Sequence, residues 1–485
     1  MIQVKRSAGQ FGTVANMQQV QIDPIPTLDS TMLGKLDRPG PRYTSYPTAD
    51  RFVEAFGAAD YRQALDQRAS GATVGGQGAL SIYVHVPFCE SVCYYCACNK
   101  VITRHHDRAT EYLDMLDHEI AMHAAVLGTA QQVVQLHLGG GTPTFLTDAE
   151  LSRLMTSLRD AFKLSANAEV SIEVDPRTAS PERLAVLAKL GFNRLSFGVQ
   201  DFDADVQKAV HRIQPLDTVR DLMVAARQIG FESINADLIY GLPRQTPESF
   251  KRTIAQVCEL RPDRIALYAY AHLPQRFKPQ RRILIEQLPP SQSRVQMLGD
   301  AIAGFNEQGY VYIGMDHFAL PDDALAVAKR QGRLHRNFQG YSTLPDCDLI
   351  GLGVSSIGRV GATYSQNAKT LDEYYDAIRR GQFAVVRGLT LSRDDLVRRA
   401  AIMALMCQGR LEFESIALAH LVDVRSYFQH ELEELREHQA MGLVRLLDDA
   451  VEVTALGWYF VRAVAMVFDK PLRADKARER FSRII

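Results

Sequence analysis

Four of the chain's seven cysteines lie within ten residues, in the run Cys89-Glu-Ser-Val-Cys93-Tyr-Tyr-Cys96-Ala-Cys98. Thiolates separated by three and then two residues can bind three irons of one compact iron-sulfur cube, whereas structural zinc sites usually take ligand pairs from separated knuckles. We therefore predict that Cys89, Cys93 and Cys96 hold one 4Fe-4S cluster. Its fourth iron would stay open to a ligand that does not come from the protein.

Cys98 lies one residue beyond Cys96 and is poorly placed to reach the same cube, so we interpret it as a neighbour that is not a ligand. The alternative is a site of four thiolates, which would leave no iron open. The other three cysteines, Cys258, Cys347 and Cys407, are isolated in apolar-patterned segments. In a reducing compartment we expect them to be buried small hydrophobic residues rather than disulfide partners.

The elements that must position the cysteine run alternate along the chain after residue 79. Short strand-like runs are followed by amphipathic segments of helical length, which predicts βα units and a parallel sheet. The predicted strands are Leu80 to Val86, Gln135 to Leu138, Glu169 to Val174, Arg194 to Val199, Ile234 to Ile239 and Arg264 to Ala269. The predicted helices are Thr110 to Leu127, Asp148 to Phe162, Pro181 to Leu190, Leu216 to Ile229 and Thr246 to Leu260. Six such units predict an α/β fold with an open, partial (β/α)6 barrel.

Polar groups follow the same end of all six predicted strands, which is where parallel α/β folds gather their ligand chemistry. These groups are the cysteine run, Gly139-Gly-Gly-Thr-Pro-Thr144, Glu173 with Asp175, Gln200, Asp237 and Ala271-His272. The glycines allow a ligand to approach the backbone closely, although a tight strand-to-helix connection would also explain them. Glu173 and Asp237 are costly on apolar strands unless they are paired or solvated at a cavity. For these two the structural alternative is a salt bridge with Arg194 or Arg212.

We predict three further regions around the barrel of residues 79–290. Residues 1–78 are expected to form an arm whose segment Arg38 to Pro47 is extended and lies over the barrel mouth. Residues 291–389 extend the barrel and line a pocket. Residues 390–485 form a mainly helical, winged-helix-like C-terminal domain with a hairpin in Gly442 to Thr454.

Composition narrows the class of protein. With 46% hydrophobic and 23% charged residues over 485 positions, the chain is an ordinary globular protein large enough for two or three domains. Its net charge of -1 gives no reason to expect a nucleic-acid partner. We find no secretory signal and no apolar run of the roughly 20 residues that a membrane span requires, so we expect a cytoplasmic protein.

The C-x3-C-x2-C run, with the aromatic Tyr95 before its third cysteine, resembles the signature of the radical S-adenosylmethionine (SAM) superfamily. From Arg38 to Ile485 the chain resembles, more specifically, the oxygen-independent coproporphyrinogen III oxidases. The residues that carry this resemblance are Pro41 to Pro47, Cys89 to Lys100, Gly139 to Thr144, Ser171 to Pro176, Ser196 to Asp201, Asp237 to Pro243, Tyr270 to Pro274, Gly314 to Phe318 and His335 to Gly340. Ala97 departs from the family, which usually has glycine there, but one small residue replaces another.

The resemblance implies a reaction. The amino and carboxylate groups of SAM chelate the open iron, and a 5'-deoxyadenosyl radical is formed from it. Two propionates of coproporphyrinogen III become vinyl groups, which gives protoporphyrinogen IX in haem biosynthesis. The cofactors implied are one 4Fe-4S cluster and SAM, of which two molecules are expected. A flavodoxin- or ferredoxin-type protein donates the electron, and the chain is expected to be a monomer without nucleic-acid or membrane partners.

The resemblance also implies site residues. The positions that contact the cluster-bound SAM are Tyr83, Gly140, Glu173 and Ile357. Those that line the second SAM are Tyr95, Gly141, Thr142, Gln200, Arg212, Asp237 and Ala271. The guanidinium of Arg212 suits a carboxylate. The cations that are candidates for the substrate's propionates are Arg42, Arg104, Arg276, Arg281 and Arg336, each of which would otherwise be a solvated surface charge.

Two other functions fit parts of the sequence. A haem chaperone related to the radical SAM enzymes would share the three-cysteine motif, but those chaperones lack Cys98 and the segment Arg42-Tyr-Thr-Ser-Tyr46. A winged-helix regulator that senses redox state through a cluster would bind DNA, which the near-neutral charge disfavours.

Overall fold

One twelve-stranded sheet forms the centre of the chain. The computed structural model describes residues 36, 39–72, 78–315, 317–344, 347–474 and 481. Most of the arm predicted over residues 1–78 therefore lies outside the described residues, as do Arg38 and Asp316 of the motifs above. Across the sheet the strands follow the order Val385–Thr390, Thr363–Asn367, Ile357–Val360, Asp348–Leu352, Leu80–Val86, Gln132–Gly140, Lys163–Val174, Arg194–Gln200, Ser233–Tyr240, Arg264–Ala269, His317–Ala319 and Val311–Gly314. The described strands at its two ends do not pair with each other, so the barrel is partial.

The strands of this sheet are β1 (Leu80–Val86), β4 (Gln132–Gly140), β5 (Lys163–Val174), β6 (Arg194–Gln200), β7 (Ser233–Tyr240), β8 (Arg264–Ala269), β9 (Val311–Gly314), β10 (His317–Ala319), β13 (Asp348–Leu352), β14 (Ile357–Val360), β15 (Thr363–Asn367) and β16 (Val385–Thr390). The smaller sheets contain β2 (Phe88–Cys89), β3 (Val101–Ile102), β11 (His335–Asn337), β12 (Gly340–Ser342), β17 (Arg410–Glu412), β18 (Val444–Leu446) and β19 (Ala450–Val453).

The α-helices are α1 (Ala58–Ala69), α2 (Asp107–Leu127), α3 (Asp148–Ala161), α4 (Pro181–Lys189), α5 (Ala204–Ala209), α6 (Leu216–Ile229), α7 (Pro247–Leu260), α8 (Ser291–Glu307), α9 (Ala324–Arg330), α10 (Leu371–Arg379), α11 (Arg393–Gln408), α12 (Phe413–His420), α13 (Val424–Tyr427), α14 (Gln429–Ala440), α15 (Ala455–Tyr459), α16 (Val461–Met466) and α17 (Lys470–Ala474).

The six parallel strands predicted from the sequence are confirmed as β1, β4, β5, β6, β7 and β8, which pair in that order. All five predicted helices are confirmed as well, with ends that differ by no more than three residues. Side-chain capping explains where several of them begin. The hydroxyl of Thr147 accepts the backbone N–H of Glu150 at the start of α3, and Ser180 caps α4 just before its first residue, Pro181.

The two faces of the parallel strands have different chemistry. On β7, the side chains of Ile234, Ala236 and Leu238 are completely buried in the main core, on the side that the helices cover. The alternate residues Asn235 and Asp237 point to the other face and line a cavity. Because successive strand residues point to opposite faces, one strand can supply core packing and site chemistry at once.

Further strands, most of them antiparallel to their neighbours, extend the sheet beyond the barrel at both edges. β13 pairs in parallel with β1, and β14 to β16 follow in antiparallel order. At the opposite edge β10 pairs with β8, and β9 pairs with β10. Within the C-terminal part, β18 and β19 form the predicted hairpin in an antiparallel sheet with β17.

Candidate active site

A cavity of about 420 Å³ reaches from the cysteine run into the barrel, and we call it the central cavity. Its lining includes eleven of the fourteen residues predicted to bind the cluster and SAM. These are Cys89, Cys93, Tyr95, Cys96, Gly140, Gly141, Thr142, Glu173, Gln200, Arg212 and Asp237. Away from the cysteines the lining includes Tyr268, His317 and Tyr341. The cavity therefore brings together polar groups from five of the six predicted strand ends, and the sixth group, Ala271-His272, is not in its lining.

The first cysteine is fixed by short strands beside the glycine turn. β2 pairs in parallel with β3, and the backbone N–H of Thr142 donates to the carbonyl of Phe88 at 2.8 Å. Cys89 Sγ lies 3.4 Å from Thr142 Oγ1. Burial raises the pKa of the Cys89 thiol to about 11. A thiol in this environment ionises readily only when a positive group, such as iron, replaces the lost water.

Cys98 is exposed and contacts the third predicted ligand. Interaction with the neighbouring Cys98 thiol lowers the pKa of Cys96 to about 6, and the same interaction raises the pKa of Cys98. Lys100 Nζ donates to the carbonyl oxygen of Cys96 at 3.1 Å. Cys98 is thus a close neighbour of Cys96, and its exclusion from the ligand set remains a prediction.

A buried cluster of charges stands beside Cys93. Arg212 Nη1 lies 3.2 Å from Asp175 Oδ2 and 3.6 Å from Cys93 Sγ, while its Nη2 donates to the carbonyl of Gly198 at 2.7 Å. Arg177 also binds Asp175, at 2.6 Å, and reaches Cys93 Sγ at 3.5 Å. Burial alone would raise the pKa of Asp175, but the two guanidinium groups outweigh it and hold that pKa at about 2. The site therefore keeps a strong positive charge next to one predicted thiolate.

The glycine turn leaves space that side chains would fill. A Cβ on Gly141 would lie 2.6 Å from the carbonyl oxygen of Pro87, so only glycine fits between the turn and the cysteine run. Gly140 has a φ of 119°, which favours glycine, and its N–H donates to Glu173 Oε2 at 3.0 Å. The other oxygen of Glu173 lies 3.5 Å from His137 Nε2.

Asp237 is held by neutral partners. Ser196 Oγ and Asn235 Nδ2 donate to its two oxygens at 2.8 and 2.9 Å. Burial raises the pKa of Asp237 to about 6. Among the described residues Arg194 pairs with Glu169, and Arg212 pairs with Asp175. The alternative that Glu173 and Asp237 form structural salt bridges with Arg194 or Arg212 is therefore wrong.

Three predicted residues do not line the central cavity. The Tyr83 ring stacks on His137, a cavity residue, at 5.9 Å between ring centroids, and its hydroxyl bonds to His85 Nδ1. The carbonyl of Ala271 accepts a hydrogen bond from Gln280. Ile357 packs with a small group that contains Phe52 and Tyr364. Only the side chain of His137 therefore separates Tyr83 from the cavity. The SAM contacts of Tyr83, Ala271 and Ile357 remain predictions.

Comparison with known proteins gives consistent results over nearly the whole chain. The family model of the radical SAM superfamily matches residues 83–257, and that of the HemN C-terminal domain matches residues 391–460. Oxygen-independent coproporphyrinogen III oxidases of Pseudomonas aeruginosa and Escherichia coli are 48% and 47% identical to this chain, each covering 94% of it and 98% of the relative. The chain belongs to the oxygen-independent coproporphyrinogen III oxidase family.

The fold comparison agrees with this membership. The solved structure of the Escherichia coli coproporphyrinogen III oxidase HemN, described as a radical SAM enzyme, matches with a TM-score of 0.85 at 46% identity. That match covers 89% of this chain and 97% of the solved one. The partial barrel and the C-terminal domain are therefore those of the oxygen-independent coproporphyrinogen III oxidase family.

The cavity residues fit the 4Fe-4S cluster and SAM that radical SAM enzymes use. The four thiols of the cysteine run line one end of the cavity, and the glycine turn presents bare backbone to it. The buried Nε of Arg212 has no hydrogen-bond partner among the described residues. Within the same residues, no three His, Cys, Asp or Glu side chains are placed to hold a single metal ion. A cluster binds each thiolate to a different iron, so its ligands need not converge on one point.

The five arginines proposed for the substrate separate into two groups. None of the five is in the lining of the central cavity. Arg42 lies over the ring of Tyr268 at 4.9 Å, and Arg336 lies over the ring of Tyr341 at 4.6 Å, so each of these two contacts a ring that does line it. The other three, Arg104, Arg276 and Arg281, are exposed and outside the cavity lining. The geometry of this coproporphyrinogen III oxidase family member thus favours Arg42 and Arg336.

Two residues of the site were missed in the sequence. Arg177 follows Asp175 by two positions, and His137 precedes Gly139 by two positions on β4. Their positions in the sequence already indicate both residues, because Arg177 follows the same strand end as Asp175 and His137 lies on the same face of β4 as Gly139. Their partners could not be known, since the contact between Arg177 and Cys93 joins residues that are 84 positions apart.

Of the remaining sequence predictions, those on the isolated cysteines are confirmed in part. None of the seven cysteines forms a disulfide, and Cys407 is buried. Cys258 and Cys347 are only half-buried. No helix in the described parts of the chain has the length and apolar character that a membrane crossing needs.

Proposed function

We propose that this chain converts coproporphyrinogen III to protoporphyrinogen IX without oxygen, by oxidative decarboxylation of two propionates to vinyl groups. The observation that carries the proposal is the central cavity, in which three cysteines with radical SAM spacing meet the polar ends of the parallel strands. Near full-length identity of 46% to 48% with enzymes of this name supports it. When bound, the cluster and SAM would supply a 5'-deoxyadenosyl radical that takes a hydrogen atom from the propionate β-carbon, after which the substrate loses carbon dioxide and passes one electron to a one-electron acceptor to leave the vinyl group.

The chain's own residues hold and orient these partners. Cys89, Cys93 and Cys96 would hold the cluster, with one iron left open for SAM. Glu173, whose carboxylate is already oriented by the N–H of Gly140, accepts from the donors of the cluster-bound SAM. Tyr83, Gly140 and Ile357 are the other contacts proposed for that molecule.

A second SAM is proposed to lie against the other predicted residues. Arg212 has both terminal nitrogens occupied by Asp175 and Gly198, and its Nε keeps one unused donor. Asp237 accepts from Ser196 and Asn235 and is half-protonated near pH 6, because burial raises its pKa to about 6. The remaining residues of this set are Tyr95, Gly141, Thr142, Gln200 and Ala271.

The substrate enters from the part of the cavity that lies away from the cysteines. Arg336 is 6% exposed, and its Nη1 has no hydrogen-bond partner among the described residues, so it offers a donor to a propionate. Arg42 adds a second cation behind Tyr268. His317 contributes no positive charge there, since burial lowers its pKa to about 3. Enclosure in the barrel keeps water and other hydrogen donors away from the radical.

The enzyme is proposed to work as a cytoplasmic monomer that receives its electron from a flavodoxin- or ferredoxin-type protein. Cluster chemistry of this kind needs a reducing environment and an external one-electron source. The near-neutral net charge of -1 agrees with an enzyme that has no nucleic-acid partner.

The test is anaerobic incubation of the reconstituted protein with SAM, dithionite and coproporphyrinogen III. We expect a divinyl product, one methionine and one 5'-deoxyadenosine for each decarboxylation. Tight retention of haem without vinyl product would instead identify a haem chaperone. Specific retention of DNA without product would identify a regulator.

A further inference from the structure

An exposed surface that joins cations and apolar side chains lies directly against the cysteine run. Arg244, Lys278, Arg281 and Arg282 are exposed, and in the described structure no carboxylate forms an ion pair with them. Leu284 and Ile285, 56% and 69% exposed, add two adjacent apolar side chains to these cations. We call these six residues the basic patch. The proposed function assigns it no role.

The basic patch carries a local excess of positive charge. The segment 276–286 contains four cations and a single carboxylate, a net charge of +3, whereas the whole protein has a net charge of -1. Arg244 joins the segment because its backbone N–H donates to the carbonyl of Gln287 at 2.7 Å. A local positive field around exposed apolar side chains is typical of a surface that binds an acidic protein.

Rigid contacts connect the patch to the predicted cluster ligands. Gln280 is 1% exposed, and its Nε2 donates to the carbonyl oxygen of Tyr95 at 2.9 Å. The guanidinium of Arg282 lies over the ring of Tyr94 at 5.0 Å, and that ring stacks on His211. Tyr94 and Tyr95 stand between Cys93 and Cys96. A single layer of residues, Tyr94 and Tyr95, therefore separates a protein bound at the patch from Cys93 and Cys96.

We propose that the basic patch is the docking surface for a small acidic one-electron carrier protein that reduces the cluster. The inference rests on the proposed function, because only an enzyme with a cluster at Cys89, Cys93 and Cys96 requires such a donor. In the docked complex the carrier is oxidised by one electron and the cluster is reduced by that electron, and no atom is exchanged. The exposed cations steer the carrier and the apolar side chains make the central contact.

A charge-reversal variant tests the docking surface, with a flavodoxin as the probe. The variant combines Arg244→Glu, Lys278→Glu and Arg282→Glu. Its matched control, with the same change in net charge, combines Lys163→Glu, Lys189→Glu and Arg330→Glu. The control residues are also exposed, and Lys163 lies at the amino end of β5, opposite the cysteines. A second variant, Ile285→Asn, removes apolar contact without changing the charge.

The primary readout is flavodoxin binding to the wild type and variants, measured by calorimetry at two salt concentrations. We expect the charge-reversal variant to bind at least about tenfold more weakly, the control to bind as the wild type does, and wild-type binding to weaken as salt increases. We expect Ile285→Asn to weaken binding at both salt concentrations. Equal binding by the wild type and the charge-reversal variant, or no binding to the wild type, would overturn the proposal.

Turnover separates this inference from the proposed function. With dithionite as reductant, we expect the charge-reversal variant to match the wild type in iron content and in its KM for coproporphyrinogen III. With reduced flavodoxin, its KM for the carrier should increase at least about tenfold. A raised KM for the porphyrinogen with unchanged flavodoxin binding would show that the patch recognises substrate, and the inference would fail. If the wild type forms no vinyl product with dithionite, the proposed function fails, whereas the calorimetry still decides the docking surface.

Discussion

The ion pair of Arg212 and Asp175 decides how charge is distributed beside Cys93. Both side chains are buried, and Arg212 bridges the carboxylate to the carbonyl of Gly198. Removing one member of a buried pair costs about 3–5 kcal/mol, because the other charge is left uncompensated. Two guanidinium nitrogens are needed as well as the charge, because the single ammonium of a lysine cannot reach Asp175 and the carbonyl of Gly198 in the same geometry.

We therefore predict that Arg212→Lys and Arg212→Ala reduce the number of SAM molecules bound per chain from two to one. Equilibrium dialysis of the reconstituted protein measures this number, and iron content should be unchanged. The control is Arg220→Lys, which alters an exposed arginine paired with Asp217. Two molecules bound with wild-type affinity in Arg212→Ala would show that the second site lies elsewhere.

Cys98 provides a second test at this scale. Cys98 is exposed and lies beside Cys96, and it lines the central cavity together with Cys89, Cys93 and Cys96. We predict that Cys89→Ser, Cys93→Ser or Cys96→Ser each abolish the brown chromophore and activity, while Cys98→Ser keeps the cluster. Visible absorption and iron analysis of anaerobically purified variants decide between the outcomes. A colourless Cys98→Ser protein would mean that the ligand count is wrong.

At the scale of elements, the glycine turn after β4 sets the distance between the cysteine run and the sheet. A Cβ on Gly141 would meet the backbone of Pro87 and Phe88 at 2.6 to 2.8 Å, and backbone cannot move aside as a flexible side chain can. We predict that Gly141→Ala displaces the cysteine run and lowers the iron content to less than about half, a loss produced by steric overlap at a close-packed position. Iron and sulfide analysis measures it.

The matched control for this substitution is Gly299→Ala. Gly299 lies within α8, and nothing is found within 4 Å of the position that its Cβ would take. Alanine is favoured over glycine inside a helix by about 1 kcal/mol, so this variant should keep its iron and unfold at a slightly higher temperature. Equal iron content in both variants would contradict the steric argument for Gly141.

Glu119 connects α2 to the extension of the sheet. It is 1% exposed and accepts hydrogen bonds from Gly353, Asn367 and Tyr374 at 2.7 to 2.8 Å. Burial raises the pKa of Glu119 to about 7, so the folded chain holds this proton more tightly than the unfolded chain does. The contribution of Glu119 to stability is therefore greatest when it is protonated and falls as the pH rises from about 4.5 to about 7.

We predict that Glu119→Gln removes this dependence. Between pH 5.5 and pH 8 the wild type should lose about 2 kcal/mol in free energy of unfolding that the variant does not lose. Any constant cost of placing an amide opposite Asn367 cancels in this difference. Denaturant unfolding at the two pH values measures it, with Glu111→Gln on the same helix as an exposed control. Parallel changes in the wild type and Glu119→Gln would contradict the raised pKa.

The parallel elements were predictable because each carries its own signal. β1 and β8 were predicted with their observed ends, since alternation and flanking turn residues are local properties of the sequence. Glu119 could not be found in this way, because its partners lie 234 to 255 residues away. In the sequence Glu119 is one of several polar residues of α2, and no local feature shows that the extension of the sheet covers it.

At the scale of the whole molecule, a second hydrophobic core joins distant parts of the chain. It contains Tyr43 and Tyr46 near the start of the described chain, Ile313 and Tyr341 from the extension, and the helices after residue 390. Tyr43 donates a hydrogen bond to Asp469 across 426 positions at 2.9 Å. The sequence predicted separate regions here, because hydrophobic patterns show that a residue is buried and do not show against what.

The central claim is that three cysteines hold a 4Fe-4S cluster with one iron open to SAM. The most direct test is iron and sulfide analysis with EPR spectroscopy of the reduced, anaerobically purified protein before and after SAM is added. The claim predicts about four irons and four sulfides per chain, and a spectrum that changes when SAM binds the open iron. Zinc in place of iron, or a cluster whose spectrum is the same with and without SAM, would contradict it.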